Sequence, residues 1–136
     1  VILDRNKRLY DKFSQALNQE LIASAQSIHR GGLGIALAKT SMGGRLGIEA
    51  SLSALKDIEM RDDFVLYSES QGRLIATVNP VYVPQFEEVM NGERVAKIGV
   101  VRNDDRFILE GKKGYVVIET NVHDLLQSYK ATFGRY

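Results

Sequence analysis

At 136 residues, 44% hydrophobic and 26% charged, the chain has the make-up of one globular domain with room for a core, spanning 1–136, and not of a disordered segment. Eighteen basic residues against 17 acidic leave a formal charge of +1 with the signs interspersed, so charge points to no nucleic-acid partner. The absence of cysteine excludes a disulfide framework and thiolate metal sites and fits a cytoplasmic protein, while His29 and His123 are too far apart in sequence to read as a ligand pair.

No apolar run approaches the roughly 20 residues that cross a bilayer, so a soluble chain without a membrane partner is expected. The opening VILDRNK has neither a methionine nor the basic-then-apolar order of a signal peptide. Val1 therefore reads as a cut inside a longer protein.

In chain order, Asp4 or Asn6 is expected to cap a helix reaching about Ser24, with Leu9, Phe13, Leu17 and Leu21 as its core-facing stripe. Residues near Ala23 to Ile28 turn extended. Gly31-Gly32 then opens a helix on which Leu33, Ala36, Leu37, Thr40 and Met42 keep a 3.6-residue period, and Gly43-Gly44 closes it. Leu46, Ile48, Ala50 and Leu52 switch to period two, which is a strand. From Ser53 to Ser68 the pattern weakens to a loop and a short helical turn. The run RLIATV from Arg73 reads as a mostly buried strand ended by Asn79-Pro80.

Pro84 to Met90 reads as a helix with Phe86, Val89 and Met90 on one side and Asn91-Gly92 as its stop. Three strands follow: Ala96 to Val101, Arg106 to Glu110 and Tyr115 to Glu119. The turns Asn103-Asp104-Asp105 and Gly111-Lys112-Lys113-Gly114 make them a meander of hairpins. Asn121 caps a last helix that packs through Leu125, Leu126 and Tyr129, and the tail from Phe133 to Tyr136 is expected to fray. The fold class expected is α+β, a layered α/β/α domain with a mixed, partly antiparallel sheet.

Two stretches have the chemistry for a site. The start of a helix presents unpaired N–H groups and partial positive charge, so the Gly31-Gly32 turn suits an anion; the same glycines equally serve close packing. Ser68 to Arg73 gathers two hydroxyls, a carboxylate, an amide and a guanidinium before a strand. Glu69, Ser70, Gln71 and Arg73 can bind a polar ligand or phosphate, or can satisfy one another. No phosphate loop ending in Lys-Ser or Lys-Thr is present, nor an obvious carboxylate cluster for magnesium, so no metal site and no catalytic residue is assigned.

The segments GGLGIALAKTSMGGRLGIEASL, YSESQGRLIATV and EEVMNGERVAKIGVV together resemble the C-terminal domains of the phosphoribosylformylglycinamidine synthase family, from about Asp4 to the last helix. The wider family includes aminoimidazole ribonucleotide synthetase, selenophosphate synthetase and thiamine monophosphate kinase. The resemblance implies the fold of an aminoimidazole ribonucleotide synthetase C-terminal domain. It also implies an ATP-dependent ligase step of purine biosynthesis, in which formylglycinamide ribonucleotide becomes formylglycinamidine ribonucleotide.

The partners implied are ATP-binding modules earlier in the same chain, with ATP and Mg, and a glutaminase subunit or domain supplying ammonia. The domain alone is expected to be inactive, to bind no cofactor by itself, and to self-associate as a homo-oligomer if excised. Its closing helix fits the second of two tandem copies, which would hold a supporting or pseudo-active nucleotide site. Where the family often has His-Asp and a further acid before the glycine pair, this chain has Gln26-Ser27 and Arg30. Arg30 either helps to hold a phosphate or is a solvated or paired cation. The alternatives to a ligand-binding role are a purely structural, subunit-docking domain of the same enzyme and a piece of a related synthetase or small-molecule kinase.

Overall fold

A computed structural model describes residues 3–56, 58–131 and 134. Expectations that fall on Val1, Ile2, Asp57, Phe133, Arg135 and Tyr136, including the fraying of the tail, lie outside these residues. The elements are α1 (Leu3–Asn18), β1 (Ile22–Ile28), α2 (Gly32–Gly44), β2 (Gly47–Ser51), α3 (Asp62–Tyr67), β3 (Arg73–Val78), α4 (Val83–Val89), β4 (Gly99–Arg102), β5 (Arg106–Glu110), β6 (Val116–Asn121) and α5 (Val122–Ala131). Short 3-10 turns at Leu52–Ala54 and Pro80–Tyr82 precede α3 and α4. This is α+β architecture with a mixed, partly antiparallel sheet, as expected. The chain forms two compact units: residues up to His29 with Ser70–Val95, and Arg30–Glu69 with the chain from Ala96 onward.

In the first unit β1 and β3 pair antiparallel, from Ile28 opposite Arg73 to Ile22 opposite Val78. Ala16, Leu21, Phe86 and Met90 form its core, with Leu9, Phe13, Ile22, Val78 and Val89 packed against them. α1 stops at Asn18 rather than near Ser24. Glu20 turns left-handed at φ 57°, and the Leu21 N–H closes back onto the Ala16 carbonyl at 3.1 Å. The turn carries Leu21 into the core off the helix and leaves Leu17 45% exposed, so the stripe of fours breaks at its last two members. Asp4 lies within the first turn and Asn6 inside the helix, so neither caps it. β3 is half-buried along its whole length rather than mostly buried, because a two-stranded sheet leaves both of its strands as edges.

In the second unit the strand order is β4-β2-β5-β6, with β2 parallel to β5 and the other pairs antiparallel. The expected meander is therefore corrected. β5 and β6 are neighbours, but β2 lies between β4 and β5. The Asn103 to Asp105 turn crosses the start of β2, where the Gly47 N–H donates to the Asp104 carbonyl at 2.6 Å. A Cβ on Gly47 would meet the Arg106 carbonyl oxygen and lie 2.9 Å from the Arg106 nitrogen, so the crossing depends on a residue without a side chain. Ile48 stands opposite Phe107 and Ala50 opposite Leu109; all four are buried.

α2 is buried around most of its surface, at Leu33, Ala36, Leu37, Ala38 and Ser41, so its buried face is broader than the sequence stripe. The Ser41 hydroxyl donates to the Leu46 carbonyl at 2.6 Å. The helix ends on Arg45, left-handed at φ 52°. Gly43, in its last turn, has no atom from outside its chain neighbours and its own helix backbone within 4 Å of where a Cβ would stand. Replacing Gly43 with alanine removes backbone entropy from the unfolded chain and is expected to stabilise the fold by about 0.5–1 kcal/mol, read as a higher urea midpoint. At α5 the expected cap is present: Asn121 Oδ1 accepts the Asp124 N–H at 2.9 Å. Tyr129, expected to pack, is instead 57% exposed.

Candidate functional site

α2 begins at two consecutive left-handed glycines, Gly31 at φ 79° and Gly32 at φ 66°. No side chain of the capping residue serves the helix start, since Gly31 has none. Glu69, 38 positions later, takes that place: its Oε1 accepts the Gly31 N–H at 2.8 Å. The helix start thus carries an anion of the protein's own, where the backbone dipoles favour negative charge. A ligand phosphate at this turn would have to displace that carboxylate or bind beside it.

The other side of the turn is closed by the end of α3. A Cβ on Gly32 would lie 2.5 Å from the Leu66 carbonyl oxygen, 2.7 Å from the Tyr67 carbonyl carbon and 2.8 Å from the Ser68 carbonyl oxygen. One on Gly34 would lie 3.3 Å from the Tyr67 ring. Leu66, Tyr67 and Ser68 therefore form a wall of the helix start that sequence reading missed. The Gly-x-Gly spacing of Gly32 and Gly34, small at both contacts with the wall, was the available signal.

Arg30 is exposed and immediately precedes the turn in the second unit, together with Gly31, Gly32 and Glu69. Ser70, Gln71 and Arg73 belong to the first unit. There Arg73 Nε donates to the Ser70 carbonyl at 3.1 Å, folding the end of the motif onto itself at the start of β3. Partial burial pulls the Arg73 guanidinium below its ordinary value, though arginine keeps its charge in proteins. Ser70 and Gln71 are exposed.

A second charged group escaped the sequence reading because its members are joined by strand register. Arg102 on β4 reaches Glu49 on β2 through Nη1 at 2.5 Å and Asp104 through Nη2 at 2.6 Å. Hydrogen bonds from Arg102, and then the Arg106 N–H, hold the Asp104 carboxyl down at about 2, below its ordinary 3.8. The folded state therefore binds this proton more weakly than the unfolded chain does. The stabilisation is complete above the ordinary carboxylate range and is lost as pH falls through about 2. The denaturation midpoint of the native chain is expected to exceed that of Asp104→Asn by a constant margin from neutral pH down to about 4, and the margin should shrink between there and pH 2. A margin independent of pH would contradict the assignment.

Among the described residues no group of three or more His, Asp or Glu could hold a metal ion, and no helix is long and apolar enough to cross a membrane.

Residues 3–112 match the family model described as AIR synthase related protein, C-terminal domain. The phosphoribosylformylglycinamidine synthase subunit PurL of Methanococcus aeolicus is 33% identical over 103 residues, which is 76% of this chain and 14% of that relative. The subunit of the same name from Caldanaerobacter subterraneus is 30% identical over 131 residues, 94% of this chain and 17% of the relative. The chain thus spans 14% and 17% of the length of these curated relatives. Among solved structures, Thermotoga maritima PurL complexed with ATP superposes at a TM-score of 0.76 with 23% identity, covering 88% of this chain and 21% of that one. The complex of the same protein with FGAR gives 0.74 and 22%, covering 88% and 20%. These superpositions establish the fold.

Proposed function

Because the chain belongs to the AIR synthase related C-terminal-domain family, we propose that it acts as the C-terminal domain of a phosphoribosylformylglycinamidine synthase, where it supports a nucleotide or substrate-phosphate site. The observation that carries this reading is the match over residues 3–112, supported by the two curated relatives described above, which bear that enzyme's name. In the proposed ligase step ATP phosphorylates the amide oxygen of formylglycinamide ribonucleotide, and ammonia then displaces the phosphate. ATP and magnesium belong to modules elsewhere in the protein, as the likeness to the synthase family implies. A glutaminase subunit or domain supplies the ammonia, and the whole assembly is cytoplasmic. This chain contributes anion contacts from Arg30 and the Gly31-Gly32 turn, with Glu69 beside it, in its second unit, and from Ser70, Gln71 and Arg73 in its first. It supplies no catalytic group and is inactive on its own.

In the full-length protein, Arg73→Ala or Arg30→Ala is expected to raise the substrate KM or weaken nucleotide retention by about tenfold or more, the scale of one charge-assisted hydrogen bond, with the fold intact by circular dichroism. Unchanged kinetics and unchanged bound nucleotide in both variants would sink the anion-site role. One observation favours a second reading, a structural and subunit-docking domain: the helix start is already served by Glu69 and closed by the Leu66 to Ser68 backbone. That reading expects the unchanged result.

A further inference from the structure

The turn after α4 has a chemistry unrelated to the anion site. Asn91-Gly92 is the one Asn-Gly pair among the six asparagines of the chain. We propose that Asn91 is a site of spontaneous deamidation, and that the modification loosens the first unit. The Gly92 nitrogen, on losing its proton, attacks the Asn91 side-chain carbonyl carbon; a C–N bond forms and the side-chain amide leaves as ammonia. Water then opens the cyclic imide at either carbonyl, giving aspartate or isoaspartate.

The structure leaves both reacting groups accessible. Asn91 is exposed, and among the described residues neither its side-chain amide nor the Gly92 N–H makes a hydrogen bond, so no bond must break before attack. Gly92 puts no side chain beside its nitrogen. The other asparagines are guarded. Asn79 precedes proline, which has no N–H, and its Oδ1 accepts from the Val81 N–H at 3.1 Å. Asn121 is held in its cap and precedes valine. Asn6 lies inside α1, while Asn18 and Asn103 precede glutamine and aspartate.

The consequence follows from what the turn holds. Lys12 Nζ on α1 donates to the Asn91 carbonyl, tying α1 to the end of α4. The Glu93 N–H closes the turn on the carbonyl of Met90, a core residue only 4% exposed. Isoaspartate adds a methylene to the main chain between these contacts. Either product also adds negative charge at a helix C-terminus, where the dipole disfavours it.

The test uses the full-length protein held at mildly alkaline pH, with a synthetic peptide of residues 86–96 alongside. Mass spectrometry of digests should show a gain of about one mass unit at Asn91, largely as isoaspartate, at a rate within roughly tenfold of the peptide, as for a turn that opens almost freely. The other asparagines should change more slowly. Material aged in this way should melt at a lower Tm than fresh protein, and Asn91→Gln protein aged in parallel should keep its Tm. An intact Asn91 after the peptide has converted would overturn the site. Conversion at Asn91 without a fall in Tm would overturn its effect on the fold.

Discussion

Replacing Gly32 with alanine is expected to destabilise the fold by at least about 3 kcal/mol, since a left-handed conformation costs an L-residue roughly 1–2 kcal/mol and backbone collisions add to it. The added Cβ would stand 2.5 Å from the Leu66 oxygen and 2.7 Å from the Tyr67 carbonyl carbon. Those atoms are main chain at the end of α3, so relief requires that α2 and α3 separate. Gly31→Ala differs in kind. It shares the left-handed conformation, but its Cβ would meet the side chain of Ile35, which is itself 40% exposed and can turn away. The Gly31 variant should therefore lose only about 1–2 kcal/mol. Urea midpoints for the two proteins decide the matter, and equal losses would show that conformation rather than contact dominates at this turn.

Phe107→Ala is the second large effect, with an expected loss of about 3–5 kcal/mol from the removed apolar surface and the cavity it leaves. Phe107 is 2% exposed and stands opposite Ile48 on β2 and Thr120 on β6, so it fills the middle of the larger sheet. Ile48 opposite it and Leu109 two positions on are 5% and 1% exposed, so the surroundings are already packed and have little room to close the gap. Phe107→Leu keeps much of the volume and should lose less than half as much. A loss below about 1 kcal/mol for the alanine variant would mean that this centre is not the core of the unit.

Much of the local structure is readable without coordinates. Asn121 announces its helix, Arg106 to Glu110 is a strand with the bounds expected, and the two glycine pairs bracket α2 as their spacing indicates. What the chain does not advertise is which neighbour a strand chooses. The short turn at Asn103 to Asp105 looks like a hairpin, and only the crowding at Gly47 reveals that it crosses another strand. The end of α1 was hidden for a similar reason. Leu21 keeps the step of four, and nothing in that rhythm shows that Glu20 turns left-handed.

At the site, the match of motif to family was visible at once. The contact between Glu69 and Gly31 was not, because it joins positions with no local relation. That contact puts a carboxylate from the same motif on the Gly31 N–H.

The place of β2 in the larger sheet also governs the order in which the chain can build itself. β4 leaves a ribosome some fifty residues after β2, its one strand partner among the described residues; β5 then takes the opposite edge of the same strand. Until β4 and β5 emerge, β2 has no strand of its own sheet beside it. Among the described residues the local pairing in this sheet is β5 with β6, which can close within microseconds of synthesis, whereas the union of β5 with β2 must first close a loop of more than fifty residues. The nucleus of the second unit is therefore a late one, and the interval before it forms is when this chain is most exposed to misassociation.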